Sequence, residues 1–587
     1  MVLTAAPAAN TKFNGWSGAC SGTGTCSVVL SASTSVTASF TGPPLEQLSV
    51  TLAGHGSGTV TSNPAGINCP QSCSGNFPKG TQVALTATPA TGFPFAGWAG
   101  ACTGTSNTCK LTINSAQAAT ATFNGALQSL NHIIFLAQEN RSFDHYFGAL
   151  REYWAQNGFS DQAFDGLPQL NIPAGTTPTN PGCDPTSIPP AGCNASTKFT
   201  PVPSFHLLTQ CIENPSPSWN ESHVDRNLSN PVAANATMDG FVEAAADDAR
   251  RNVPPYLDVD GFRAMGYYDG TDLNYYYFMA SSFATSDRWF SPVLSRTQPN
   301  RMYLAAATSQ GHVYPPLPGV FLTANTIFQE LQNAGLSWKI YVNSQATGCS
   351  DTDSACLSNF SEITWFIFGQ QMKANPSFVS QHVQSINAYL RDVANGTLPN
   401  VALIEPAYGA ALDEHPTVND LFPTRIQAGA AYVANQLINP LMNSPSWKDS
   451  AFILTWDEGG GLYDHVPPIN PVPNPDGTRP NDLLAGDICT ATPGAPTCDF
   501  TYTGYRVPMI VVSPFTLKHF VSHTPTDYTA ILKLIETRFK LSNLTARDAA
   551  AMDMTEFFDF VNVPWATPPK PPLQSTTDTC NLSPPTP

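Results

Sequence analysis

After residue 127 the chain alternates between two patterns. Short apolar runs at 133–137, 338–342, 401–404, 451–455 and 507–512 are separated by helical patterns at 303–309, 326–334, 428–441 and 529–540. Runs this short, rich in Ile, Val and Leu, suit strands buried on both faces. Such a sheet needs helices on both sides, so the alternation predicts an α/β fold with a mostly parallel sheet. Three of the runs end in polar clusters. The first leads into Glu139-Asn140-Arg141-Ser142-Phe143-Asp144-His145. The run at 451–455 leads through Trp456 into Asp457-Glu458-Gly459-Gly460-Gly461, with Asp464-His465 next. The run at 401–404 leads into Glu405-Pro406, with Asp413-Glu414-His415-Pro416 shortly after. Acids at the end of a buried strand are costly unless paired or metal-bound. Open α/β sheets bind ligands beyond the carboxyl ends of their strands.

The residue types at these ends point to phosphate-ester chemistry. Carboxylates and an amide are hard oxygen donors, favouring Mg²⁺, Ca²⁺ or Mn²⁺ over zinc. Arg141 offers a planar fork suited to phosphate. The triple glycine lets backbone approach a ligand closely. A fourth element, Ser295-Arg296-Thr297-Gln298-Pro299-Asn300-Arg301, precedes a helical run at 302–308. Thr297 falls just before the expected helix start, where its hydroxyl would face a phosphate held on helix N–H groups. A metal would lower the hydroxyl's pKa and make it a nucleophile, and Arg301 is a candidate phosphate clamp. Taken singly, each has a plainer reading: Glu139 and Asn140 as a helix cap, Asp457 and Glu458 as a solvated turn, Thr297 as an N-cap.

At 587 residues the chain is too long for one ordinary core, so two or more domains are expected. The net charge of −17, from 26 Lys and Arg against 43 Asp and Glu, argues against nucleic-acid binding. No apolar run reaches the roughly 18 residues that span a bilayer, and the first residues have no signal-peptide pattern. Twelve of the fourteen cysteines fall in close pairs: 20/26, 69/73, 102/109, 183/193, 349/356 and 489/498. Cys211 and Cys580 remain to pair over a long loop. Zinc is the competing reading of such pairs, but the variable spacing and the Gly/Ser/Thr/Pro-rich surroundings favour disulfides and an oxidising compartment.

The N-terminal part contains an internal repeat. Phe13-Asn14-Gly15-Trp16-Ser17-Gly18-Ala19-Cys20 matches Phe95-Ala96-Gly97-Trp98-Ala99-Gly100-Ala101-Cys102. The first copy lacks a counterpart of residues 48–92, so the chain is expected to start inside a repeat. The complete copy alternates β-branched and small residues and reads as all-β. It resembles the divergent bacterial surface repeats related to internalin B-repeats, which implies a spacer or adhesive arm that meets a cell-surface or extracellular partner.

The later motifs carry a second resemblance. Glu139-Asn140-Arg141-Ser142-Phe143-Asp144-His145-Tyr146-Phe147-Gly148, Thr297-Gln298-Pro299-Asn300-Arg301, Asp457-Glu458-x-x-Gly461-x-x-Asp464-His465-Val466 and Gly504-Tyr505-Arg506-Val507-Pro508 stand in the same order as the four signatures of the bacterial phospholipase C and acid phosphatase family. That family is shared with plant non-specific phospholipases C. The resemblance implies an alkaline-phosphatase-like α/β fold. It implies a divalent metal held by Glu139, Asn140, Thr297, Asp457 and Glu458, and Thr297 as a nucleophile passing through a phospho-threonine. It makes His415 and His465 acid/base or phosphate-orienting groups, with Arg141, Asn300, Arg301 and His223 as substrate-binding candidates. Where many members carry His-Ser-Trp, this chain has Pro217-Ser218-Trp219, which leaves His223 or His206 for that region.

The expected organisation is a partial β repeat at 1–45, a complete repeat at 46–125, a catalytic domain at 126–565 and a Pro-rich tail at 566–587. The expected function is that of a secreted or cell-surface phospholipase C acting on phosphatidylcholine-like lipids, with peripheral membrane contact. Two alternatives stand beside it: an acid phosphatase for small phosphomonoesters, and an adhesin with an inactive enzyme-like domain. The Tyr-rich segment at 267–278 is read either as a choline or lipid site or as core.

Overall fold

A computed structural model describes the chain except residues 9, 185, 187–190, 195–198, 253 and 419–422, and divides it into two units, Met1–Ser129 and Leu130–Pro587. Part of the Pro/Gly-rich stretch 168–203 lies outside the described residues.

In the first unit the complete repeat forms two four-stranded sheets. Leu45–Ala53 pairs parallel with Gln117–Phe123 and antiparallel with Ser74–Pro78. Thr81–Pro89 lies between Gly58–Asn63 and Thr108–Ile113. Alternate residues such as Leu48, Val50, Val83, Leu85 and Phe123 point into one core, as the period-2 pattern requires. The two copies share local geometry. Trp16 Nε1 donates to Gly24 O and Trp98 Nε1 to Ser106 O, and both strands carry a bulge just before the Trp.

The second unit is built on one eight-stranded sheet. In chain order its strands are β1 (His132–Gln138), β2 (Ala284–Ser286), β3 (Trp338–Val342), β4 (Val383–Ser385), β5 (Val401–Ile404), β6 (Ser450–Trp456), β7 (Met509–Val512) and β8 (Phe520–Ser522). Their spatial order is β4-β3-β5-β1-β6-β7-β2-β8. All pairings are parallel except the two made by β7, as the apolar runs predict. β1, β3, β5, β6 and β7 match predicted runs. β2, β4 and β8 have three residues each, too few to show a period.

Register brings the polar clusters together. The three runs that end in acids are neighbours at the sheet centre, in the order β5, β1, β6. β1 and β6 pair from His132↔Ser450 to Gln138↔Trp456, so Glu139 and Asp457 leave adjacent strands level with one another. β7 starts opposite the end of β6, at Thr455↔Met509, so residues 457–508 leave and return at the same edge. The Pro/Gly-rich stretch 467–502, which interrupts the helix–strand alternation between them, is thereby tied to the carboxyl edge. Its Asp476 accepts from Ser309 N at 3.1 Å and from the hydroxyls of Tyr303 and Thr308.

Several helices differ in extent from their patterns. The helix expected at 302–308 starts earlier, at Thr297–Ala306, because Pro299 is tolerated in a first turn where its missing N–H has no partner to lose. The pattern at 428–441 becomes Ile426–Tyr432, a π-helical stretch Val433–Ile438 and Asn439–Met442. Pro440 cannot donate the next i→i−4 bond, and the ladder widens ahead of it. All seven expected disulfides are present, including Cys211–Cys580 across 369 residues, which fastens the Pro-rich tail.

Candidate active site

Thr297 is the first residue of its helix and lies against the β1 terminus. Its Oγ1 donates to Glu139 Oε2 at 3.2 Å and is 3.4 Å from Asn140 Oδ1. Asn140 sits in the left-handed region at φ +56°, and its backbone N–H donates to Asp457 Oδ1 at 2.9 Å. The loop after β6 closes over it. A Cβ on Gly460 would lie 2.4 Å from the Asn140 carbonyl, so only glycine lets the two loops approach this closely. Glu458 is buried: Oε2 accepts from Gly460 N at 2.5 Å, while Oε1 has no hydrogen-bond partner among the described residues. Glu139, Arg296, Thr297, Glu362, Trp365 and His415 line a cleft of about 360 Å³ above these groups.

Arg301 ties the carboxylates together from below. It is fully buried and reaches Glu139 Oε1 at 2.8 Å, Asp457 Oδ2 at 3.2 Å and Glu362 Oε2 at 3.4 Å. All its charge is directed at carboxylates and at the Ala137 carbonyl, so it acts as scaffold here and not as a clamp open to the cleft. Glu405, at the end of β5, accepts from Glu362 N at 3.1 Å. Glu362 Oε1 and Glu405 Oε2 are also buried without partners among the described residues. One arginine does not balance five acids. Burial, with Glu139 beside it, pushes Asp457 up to about 8. Burial pushes Glu405 up to about 7, and burial with an adjoining acid raises Glu362 and Glu458 well above the carboxylate range. Glu362 was invisible in the sequence: it sits in a short 3-10 turn, Glu362–Trp365, with no apolar run before it.

His415 stands on the other side of Asn140. Its Nε2 is 3.1 Å from Asn140 Nδ2 and its Nδ1 is 2.5 Å from the Pro416 carbonyl. The residue before it is an anchor. Glu414 is fully buried, and its carboxylate accepts from Tyr146, Tyr276, Trp456 and Gln138 at 2.6–3.4 Å. Arg141 donates Nε and Nη2 to the Glu414 carbonyl at 2.8 and 2.5 Å. Arg141 therefore braces the His415 loop in this structure instead of reaching for phosphate. Tyr275, Tyr276 and Tyr277 are all buried, so that part of the Tyr-rich segment is core.

His465 lies in a different cluster. Its Nδ1 meets Asp144 Oδ2 at 2.6 Å and its Nε2 meets Asp165 Oδ1 at 3.0 Å. Burial opposes the charge on His465, but Asp144 and Asp165 prevail and raise it to about 10. Asp144, Asp464 and His465 bring three ligand atoms within 4.8 Å of one another, an arrangement that would suit a cation. Arg506 already supplies the charge there, with Nε at 3.0 Å from Asp464 and Nη2 at 3.0 Å from Asp144. Glu362, Glu405 and Glu458 each keep a buried oxygen with no such counter-charge among the described residues.

Two further candidates are occupied elsewhere. Asn300 accepts from Val293 N at 3.0 Å and donates to the Ser295 and Arg296 carbonyls, which shapes the turn before Thr297. His223 is buried between the carbonyls of Trp219 and Thr497, against the Cys489–Cys498 loop.

Residues 130–542 match the Phosphoesterase family, and residues 1–43 and 48–126 match the divergent InlB B-repeat domain. Phospholipase C B of Mycobacterium tuberculosis is 30% identical over 464 residues, covering 76% of this chain and 80% of the relative. Non-specific phospholipase C4 of Arabidopsis thaliana is 28% identical over 437 residues, covering 71% of this chain and 70% of the relative. The solved structure of murine ectonucleotide pyrophosphatase/phosphodiesterase 5 aligns at a TM-score of 0.29 and 10% identity, over 49% of this chain and 95% of that one.

Proposed function

The chain belongs to the phosphoesterase family and is a phosphoric ester hydrolase, and from that premise we propose that it is a metal-dependent phospholipase C. It would cleave phosphatidylcholine-like lipids to diacylglycerol and a phosphorylated headgroup. The observation that carries this reading is the Thr297 hydroxyl, held against Glu139 and Asn140 at a helix start, with Asp457 accepting from the Asn140 N–H and the neighbouring Glu458 keeping a buried oxygen that has no partner among the described residues. The donor set fits a divalent ion. Glu139, Asn140, Thr297, Asp457 and Glu458 offer only oxygen, and the excess of acids over Arg301 calls for a compensating cation. Such an ion would supply charge neutralisation for the phosphate and a lowered pKa at the hydroxyl.

The residues' own parts follow. Thr297 Oγ forms the bond to phosphorus as the bond to the glycerol oxygen breaks; the hydroxyl proton passes to Glu139, towards which it points, and the departing glycerol oxygen takes up a proton from water to leave as diacylglycerol. The phosphorylated headgroup then rests on Thr297 until water releases it. Arg301 and Asn300 hold Thr297 and its acidic neighbours in place. The 360 Å³ cleft lies at the small end of ligand sites, which run from about 300 Å³. That size favours one second reading, a phosphatase for small phosphomonoesters. Seven disulfides fit an oxidising compartment, and we place the protein outside the cell or on its surface. The repeats, at 1–45 and 46–125, would serve as an arm toward a surface partner, ahead of a catalytic domain at 126–565 and a tail at 566–587.

The test gives purified protein phosphatidylcholine and p-nitrophenyl phosphate, with and without chelator, alongside Thr297→Ala. Turnover should fall by about 10⁴-fold or more in the variant. Full activity in Thr297→Ala would sink the nucleophile, activity that survives chelation and dialysis would count against the metal, and turnover of the small ester alone would favour the phosphatase.

A further inference from the structure

We infer that His415 is a positioning residue, which turns the Asn140 amide so that Oδ1 faces Thr297 and the metal, and that it carries no proton in the reaction. The inference rests on the proposed metal reading of this site.

The hydrogen bonds fix the orientation one atom at a time. The Pro416 carbonyl, 2.5 Å from His415 Nδ1, can only accept, so Nδ1 carries the hydrogen. In a neutral ring Nε2 is then bare, and it accepts from Asn140 Nδ2 at 3.1 Å. With its NH₂ committed to the histidine, the amide can present only its oxygen on the other side, where Oδ1 lies 3.4 Å from Thr297 Oγ1. A half-turn of the amide would set oxygen against the bare nitrogen, two acceptors face to face, and aim an NH₂ at a cation. The histidine's tautomer thereby decides which atom of Asn140 faces the metal.

The ring's own setting is fixed from behind. Glu414 holds the loop through four donors on its carboxylate and two from Arg141 on its carbonyl. Its backbone lies at φ +69°, a conformation that needs such outside support. The one N–H of the ring points at a carbonyl of its own chain. Nothing in this arrangement leaves a ring proton free for a leaving group. It has the logic of a metal site in which an outer residue orients a ligand.

The experiment is a calorimetric titration of Mn²⁺ into the wild-type protein, His415→Ala and His415→Gln, with thermal melts to check folding. His415→Ala should weaken Mn²⁺ binding by about 10–100-fold. His415→Gln retains a side-chain oxygen that can accept from Asn140 Nδ2. It should stay within about tenfold of wild-type affinity and recover activity in excess Mn²⁺. This second variant also decides the matter if His415→Ala does not fold. Wild-type Mn²⁺ affinity in the variants together with a collapsed kcat, unrescued in His415→Gln, would identify a proton carrier and overturn the inference. A blank titration of the wild-type protein would overturn the metal reading itself, and this inference with it.

Discussion

Two acidic clusters in the catalytic unit are each built on a buried arginine, and they end in opposite states. Around Arg506, Asp144, Asp464 and Asp165 are met by Arg506, His465 and Arg288, and every carboxylate oxygen has a donor. Around Arg301, Glu139, Asp457 and Glu362 share one guanidinium, Glu405 and Glu458 stand beside them, and three oxygens have no donor among the described residues. A buried charge must be paired or neutralised. The first cluster does so within the protein and is a clasp joining the segments after β1 and β6 to the one before β7. The second holds more acid than its one arginine offsets, and that excess is what the proposed cation would balance. Residue type alone does not separate the two; the donor count does.

This contrast can be broken at several points. The largest effect should come from Arg506→Gln, which leaves Asp144 and Asp464 buried without a partner. It should cost about 3–5 kcal/mol in denaturant unfolding. A cost below about 1 kcal/mol would mean that the clasp is not structural. Glu458→Gln should do the reverse. Metal-free stability should hold or rise, because an unpaired buried acid is removed. The stabilisation by saturating Mn²⁺, about 2.7 kcal/mol at 100 times Kd for the wild-type protein, should vanish. A smaller effect concerns pH. His465 is raised from 6.5 to about 10, so its contribution is fully present below about 6.5 and is lost as pH rises through 10. The melting temperature should fall across that window, and less steeply in His465→Gln. An unchanged slope would mean that His465 is not held charged by Asp144 and Asp165.

Much of this was legible from the apolar runs. A strand buried on both faces is written in its own residues, and the acid that follows it is conspicuous, so Glu139, Asp457, Glu458 and Glu405 could be found without a structure. The close cysteine pairs were legible because short loops constrain their partners. Partner choice was not legible. Arg141 and Arg301 look alike in sequence, yet one braces a carbonyl and the other sits under the carboxylates, and the spacing of His415 and His465 does not say which lies beside Asn140. Glu362 follows no strand, and the three-residue strands β2, β4 and β8 are held by their neighbours and not by their own pattern.

The contrast between the clusters is tested most directly by anomalous diffraction from a crystal grown with Mn²⁺. One peak is expected, bounded by Glu139, Asn140, Thr297, Asp457 and Glu458, and none between Asp144, Asp464 and His465. A peak at the second cluster, or no peak at the first, would contradict it.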